Sequence, residues 1–203
     1  MRRSSLIATC ILAVVIAVGA AIALFQIATT REAALGGSAN IGGPFSLVGE
    51  NGEPVTEAVL AGKPTLMYFG YTFCPEICPT TLTDMSNWIA KLGPDADKLN
   101  YVFVTVDPER DTPEVMKQYV SSFDKRIRGF TGTPKQIADI AAKYRVYYKK
   151  IPSKDGPYEM DHSAIVYMMS RGGKFRGIIG YQEDEKSVME KLRSLISDKV
   201  AAR

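Results

Sequence analysis

Histidine and tryptophan are nearly absent from this sequence, which has one of each in 203 residues, and cysteine occurs only three times. So few cysteines exclude the disulfide framework of a small secreted domain, and any chemistry they have is expected at a site. Charge is almost balanced, with 25 Lys and Arg against 22 Asp and Glu, so we predict no nucleic-acid partner. The 46% hydrophobic and 23% charged residues are typical of one globular domain and exclude a disordered chain.

One long uncharged stretch is present, at residues 6–27. As a helix rising about 1.5 Å per residue it spans roughly 33 Å, enough to cross a bilayer. We predict a transmembrane anchor here, with a cleaved signal peptide as the alternative. Arg2 and Arg3 indicate that residues 1–5 stay in the cytoplasm and that the rest of the chain lies across the membrane. The predicted localisation is therefore the bacterial inner membrane, single-pass, with the C-terminal domain in the periplasm.

Residues 28–44 are rich in Ala, Gly and Ser, which predicts a linker, and residues 45–203 form the predicted globular domain. In this domain strand-like runs alternate with helical ones, a pattern typical of an α/β fold with a central mixed β-sheet flanked by helices. A hairpin with an Asn-Gly turn is predicted to begin with strand 45–48. The other predicted strands are 65–70, 101–106, 146–149, 163–169 and 174–181. The predicted helices are 80–92, 113–123, 184–200 and one that begins at the capping box of Thr133.

Cys74 and Cys78 stand between the predicted strand 65–70 and a helical pattern. Pro79 is expected as the first helical residue, because inside a helix it would cost about 3 kcal/mol. Cys74 then lies in a loop and Cys78 at the helix start, where a thiol pKa is lowered. A plain disulfide is one interpretation for an exported protein, but it would close a loop too short to stabilise a large domain. A metal-binding loop or a redox-active cysteine pair is a more specific interpretation than a structural disulfide.

His162 is the single histidine, and it lies next to Asp161 between a polar loop and an apolar strand. A lone histidine is more often a surface or satisfied core residue. The neighbouring Asp161 could orient the imidazole or could simply be solvated. Two thiolates and one imidazole would form a soft three-ligand set that suits Cu(I) and also accepts Zn(II). Because no fourth protein ligand for a closed zinc site is evident, this set favours copper.

Three segments carry a specific pattern: YFGYTFCPEICP at 68–79, VTVDPERDTP at 104–113 and DHS at 161–163. In this order they resemble the signatures of the Sco/SenC family, copper-binding, thioredoxin-like proteins that assist assembly of cytochrome c oxidase. The similarity covers roughly residues 41–196. It implies a thioredoxin-like fold in which Cys74, Cys78 and His162 bind one copper ion per domain, as Cu(I) or Cu(II). The turn also leaves the two cysteines close enough to form a redox disulfide, which would abolish copper binding.

The resemblance implies a membrane-anchored periplasmic copper chaperone rather than an enzyme. Such a protein would receive copper from a periplasmic donor and help to metallate the binuclear copper centre (CuA) of cytochrome c oxidase subunit II. The alternative is a thiol–disulfide reductase that keeps the cysteines of that subunit reduced, but a reductase has no need of His162. A thiol peroxidase is a third hypothesis, which is weakened because Pro75 and Glu76 bring no cation beside Cys74.

Overall fold

The computed structural model describes residues 41–153 and 156–197, together with the isolated Gly19. The predicted cytoplasmic segment 1–5, nearly all of the predicted anchor 6–27 and most of the linker 28–44 lie outside these residues. Within the part of the chain that is described, no helix is long and apolar enough to cross a bilayer. The membrane anchor and the domain boundaries therefore stay predictions.

The described residues fold into nine β-strands and four α-helices. In chain order these are β1 (Ser46–Gly49), β2 (Pro54–Thr56), β3 (Thr65–Gly70), α1 (Ile77–Leu92), β4 (Asn100–Thr105), α2 (Pro113–Val120), β5 (Ile127–Thr131), α3 (Pro134–Tyr144), β6 (Tyr148–Ile151), β7 (Glu159–His162), β8 (Ile165–Met169), β9 (Phe175–Gly180) and α4 (Glu185–Ser197). Short 3-10 helices cover Glu57–Leu60 and Gly93–Lys98.

Seven strands form one sheet in the order β2-β1-β5-β4-β3-β8-β9. The central strands β3, β4 and β5 are parallel, whereas β1, β2, β8 and β9 pair antiparallel with their neighbours. All six residues of β3 are buried, as expected for a parallel strand in the middle of a covered sheet. The predicted central mixed sheet flanked by helices is confirmed. In this sheet β3 is an inner strand, between β4 and β8. Its carboxyl end leads to the cysteines.

A second, two-stranded sheet carries the histidine. β6 pairs antiparallel with β7, and Tyr148 is opposite His162. In the described part of the chain this pair forms no ladder with the seven-stranded sheet. We call β6, β7 and the segment that joins them the histidine hairpin. Its position has to be fixed by side-chain contacts, since no strand pairing does so.

Two local expectations need correction. Helix α1 begins at Ile77, so Pro79 is its third residue and not its first. Proline is tolerated there because the first four N–H groups of a helix have no partner within it. Strands β5 and β7 were not predicted: β5 contains Gly129, against which Val120 and Met116 pack, and β7 has a mostly polar sequence. The remaining predicted strands and helices correspond to observed elements, with ends that differ by a few residues.

Candidate metal centre

The two cysteines meet where β3 gives way to α1. Cys74 lies in the loop and is partly exposed, whereas Cys78 lies in the first turn of α1 and is fully buried. The backbone N–H of Cys78 points at the Sγ of Cys74, with an N–S distance of 3.4 Å. Gly70 makes room for the buried thiol, because a Cβ at this position would lie 2.6 Å from the Sγ of Cys78. The predicted places of both cysteines, one in the loop and one at the helix start, are confirmed.

The histidine hairpin brings His162 to the cysteines, 84 residues away in sequence from Cys78. The Nε2 atom of His162 lies 3.4 Å from the Sγ of Cys78. The other ring nitrogen, Nδ1, lies 3.2 Å from the carbonyl oxygen of Ser163. A proton on Nδ1 satisfies that carbonyl and leaves the Nε2 lone pair directed at the sulfur. The imidazole also packs edge-on against Tyr68 and Tyr71.

The two thiols have opposite acidities. A hydrogen bond from the Cys78 thiol lowers the pKa of Cys74 to about 4; burial opposes this shift, and the backbone amides of Cys78 and Glu76 add to it. The pKa of Cys78 is raised, because its thiol donates that hydrogen bond and is buried. The lowered pKa expected for Cys78 from its place at the helix start is therefore wrong. At neutral pH the pair therefore holds a thiolate on the exposed sulfur and a proton on the buried one.

Asp161, for which orientation of the imidazole and simple solvation were both open, points away from His162. Its carboxylate accepts a hydrogen bond of 3.2 Å from the hydroxyl of Tyr147. Successive side chains of a strand point to opposite faces, so in β7 Asp161 faces solvent while His162 faces the domain. The backbone of Ser163, and not Asp161, therefore holds the ring of His162.

Tyr68 is a site residue to which the sequence reasoning gave no role. It lies on the buried strand β3, and its hydroxyl donates a hydrogen bond of 3.5 Å to the Sγ of Cys78. Burial raises the pKa of Tyr68, so the hydroxyl keeps its proton. Its position in the predicted strand 65–70, two residues before Gly70 at the carboxyl end, could have indicated that it lies near the cysteines.

Asp111 is the second site residue without a predicted role there. Its neighbour Thr112 caps helix α2 by accepting a hydrogen bond from the N–H of Val115. The buried carboxylate of Asp111 instead accepts hydrogen bonds from Thr105 (2.5 Å) and from the hydroxyl (2.6 Å) and amide (3.1 Å) of Thr72. It thereby fastens the loop that carries Cys74 to the end of β4.

The ligand atoms of Cys74, Cys78 and His162 all lie within 4.8 Å of one another. Two sulfurs and one imidazole nitrogen are the donors that Cu(I) prefers, and the residues present fit that ion. One donor is partly exposed, so a bound ion could be reached from solvent on the Cys74 side. The same two sulfurs could also be oxidised to a disulfide.

Comparison with known protein families and curated proteins gives consistent results. The sequence model of the family described as SCO1/SenC matches residues 33–197. The chain is 41% identical over 165 residues to Protein SCO2, mitochondrial, of Saccharomyces cerevisiae, which covers 79% of this chain and 54% of that protein. It is 36% identical over 189 residues to an SCO2-like protein of Rickettsia prowazekii, and this match covers 89% of this chain and 92% of that protein. The chain therefore spans about half the length of the yeast relative and nearly all of the bacterial one.

Solved structures share the fold. Bradyrhizobium japonicum ScoI with copper bound is 48% identical with a TM-score of 0.71, covering 76% of this chain and 99% of that one. Arabidopsis thaliana ScoI with copper bound is 41% identical with a TM-score of 0.73, covering 77% and 98%. BsSco, a member of the Sco family of cytochrome c oxidase assembly proteins, is 22% identical with a TM-score of 0.63 and covers 79% and 96%. These likenesses confirm the predicted thioredoxin-like α/β fold.

Proposed function

The chain belongs to the SCO1/SenC family, and from this premise we propose that it is a metallochaperone that binds one copper ion through Cys74, Cys78 and His162. The observation that carries the proposal is the 3.4 Å approach of the sole histidine of the chain to the buried thiol of Cys78. A disulfide enzyme needs no imidazole at that point. The copper-bound ScoI structures of related proteins support the choice of metal.

The copper would be cargo that this protein passes on. Three protein ligands leave coordination open for an incoming thiolate or imidazole, so the ion could move by ligand exchange. The partial exposure of Cys74 supports transfer from that side. The acceptor we propose is the binuclear copper centre of cytochrome c oxidase subunit II, loaded in the periplasm after uptake from a periplasmic donor.

The N-terminal segment would keep the domain near a membrane-embedded acceptor. We propose that residues 6–27 anchor the chain in the inner membrane and that residues 28–44 act as a tether. A flexible tether of this length has a root-mean-square reach of roughly 20–25 Å. Such a tether raises the effective concentration of the domain at the membrane surface.

A thiol–disulfide reductase acting on the cysteines of the oxidase subunit is the second candidate. The observation that favours it is the contrast between the two thiols: Cys74 is partly exposed with a lowered pKa, and Cys78 is buried behind it. An exposed thiolate with a second thiol beside it is the arrangement of a disulfide-exchange pair. His162 separates the two candidates, because only copper binding requires it.

The test is Cu(I) competition against a colorimetric chelator, using the untagged full-length chain in detergent under reducing conditions. We expect one copper per chain, and at least tenfold weaker binding in each of Cys74→Ala, Cys78→Ala and His162→Ala. Oxidation of the cysteines to a disulfide should abolish binding. Wild-type affinity in His162→Ala would remove the histidine from the site and favour the reductase.

A further inference from the structure

We propose that Arg110 is a positioning residue that holds the histidine hairpin against the cysteine loop, residues 71–76, and thereby keeps His162 beside the two thiols. This inference rests on the proposed function, since it assigns a role in assembling the copper-binding set. The need for such a residue arises from the topology. The hairpin forms no ladder with the seven-stranded sheet in the described residues, so side-chain contacts must fix its position.

The guanidinium of Arg110 binds the hairpin directly. Arg110 lies in the turn between β4 and α2, and its Nη1 donates a hydrogen bond of 3.0 Å to the carbonyl oxygen of Tyr158. Its guanidinium carbon lies over the ring of Tyr158, 3.8 Å from the ring centroid. Tyr158 immediately precedes β7, the strand that ends at His162. Arg110 therefore contacts the hairpin through both a polar bond and a cation–π contact.

The same guanidinium contacts the cysteine loop. Its carbon lies 4.7 Å from the ring centroid of Phe73, the residue directly before Cys74, and 5.7 Å from that of Tyr71. The ring of Tyr71 in turn packs edge-on against the imidazole of His162 at 5.7 Å between centroids. One side chain thus contacts aromatic residues of the cysteine loop and of the histidine hairpin.

The turn that carries Arg110 makes further contacts that fix its direction. The Nε of Arg110 pairs with the carboxylate of Asp107, which is only 2% exposed. Asp107 also accepts a hydrogen bond of 2.8 Å from the hydroxyl of Tyr158. At the outer side, Lys150 of the hairpin pairs with Glu109 at 2.6 Å. Three polar contacts of the hairpin, from Lys150 and from the carbonyl and hydroxyl of Tyr158, thus reach residues 107–110.

The chemistry of the contact requires arginine. A planar guanidinium can stack on a ring and donate several hydrogen bonds in its plane at the same time, whereas an ammonium is a compact point charge. Without Arg110 the hairpin loses its carbonyl bond and its stack, and His162 is free to leave the thiols. Loss of residues that orient metal ligands typically lowers metal affinity by about 10- to 100-fold.

The test is Cu(I) competition on the untagged full-length chain. We expect about 10- to 100-fold weaker binding in Arg110→Leu and in Tyr158→Leu, with partial recovery in Arg110→Lys. Arg128→Leu is the matched control, because Arg128 also pairs with a carboxylate, Glu53, and stacks on a ring, but does so on β5 away from the thiols. It should bind copper as the wild type does.

Two further measurements separate positioning from general destabilisation. In a His162→Ala background, Arg110→Leu should cause no additional loss of affinity. X-ray absorption of the Cu(I) form should show imidazole scattering in the wild type and lose it in Arg110→Leu, an unambiguous signal because the chain has one histidine. Unchanged affinity and scattering in Arg110→Leu, or an equal loss in the His162→Ala background, would overturn the inference.

The outcomes also distinguish this inference from the proposed function. Weak binding in His162→Ala with normal binding in Arg110→Leu overturns only the role of Arg110. Normal binding in His162→Ala contradicts the ligand set itself, and this inference with it. If Arg110→Leu fails to fold by circular dichroism, Tyr158→Leu decides. It removes the ring under the guanidinium and the hydroxyl bond to Asp107, and it keeps the backbone carbonyl bond and the Asp107–Arg110 pair.

Discussion

Replacement of Gly70 by alanine would create a steric clash with the buried thiol of Cys78. The new methyl group would lie 2.6 Å from the Sγ of Cys78 and 2.9 Å from a ring carbon of Phe103. Comfortable contacts between such atoms are roughly 3.5–4.0 Å, so each neighbour must yield by about 1 Å. Both are fully buried, which leaves them little room. Overpacking of this kind costs about 1–3 kcal/mol, or a fall in Tm of roughly 2–12 °C for a chain of this size.

The assay combines thermal unfolding with Cu(I) competition. We expect Gly70→Ala to lower both the Tm and the copper affinity, because the displaced Sγ of Cys78 moves relative to His162. Gly180→Ala is the matched control: Gly180 also closes a strand, but an added Cβ there meets only a carboxylate oxygen of Glu183 at 4.0 Å. The reasoning is refuted if Gly70→Ala has the Tm and affinity of the wild type, or if both variants are equally affected.

Three other variants test separate contacts of the site. Tyr68→Phe removes the hydroxyl that donates to Cys78, so the reduction potential of bound copper should fall in a redox titration, since a hydrogen bond to sulfur favours the reduced form; an unchanged potential would contradict this. Because the pKa of Cys74 is about 4, its alkylation rate by iodoacetamide should be nearly the same at pH 6 and pH 8. In Cys78→Ala the pKa rises and the rate at pH 6 should fall well below that at pH 8, as followed by mass spectrometry; equal rates in this variant would contradict the assignment. Asp111→Asn places an N–H donor where a carboxylate oxygen accepted hydrogen bonds, so we expect the free energy of unfolding in urea to fall by about 1–3 kcal/mol. An unchanged urea midpoint would contradict this.

The central strands were predictable because burial on both faces leaves a direct trace in the sequence. The runs TLMYFG and YVFVTV are almost entirely apolar and correspond to β3 and β4 with ends that differ by at most one residue. The start of α3 was equally clear, since Thr133 and Gln136 form the capping box that their spacing predicts. The capping box is a local interaction, and burial acts on every residue of a central strand, so both can be read from a short stretch of sequence.

The histidine hairpin shows why the rest was not predictable. Of the four residues of β7 only Met160 is buried, so no apolar alternation marks the strand. Without that strand, the adjacency of Asp161 and His162 left open whether they are in contact, whereas a strand places them on opposite faces. The residue types of the metal centre could be chosen from the sequence, but the contacts of Arg110 and Tyr158 depend on how two distant turns pack.

Copper transfer to the acceptor is the most direct test of the central claim. At least two equivalents of the Cu(I)-loaded, untagged full-length chain would be mixed with the reduced apo copper domain of a cytochrome c oxidase subunit II in the presence of a free-copper chelator. The absorption of the binuclear centre would be read after oxidation with ferricyanide. We expect the centre to form with the wild type and not with His162→Ala. The account is contradicted if the reduced, copper-free chain, given only the chelated copper, or the loaded His162→Ala variant, forms the centre as fully as the loaded wild type.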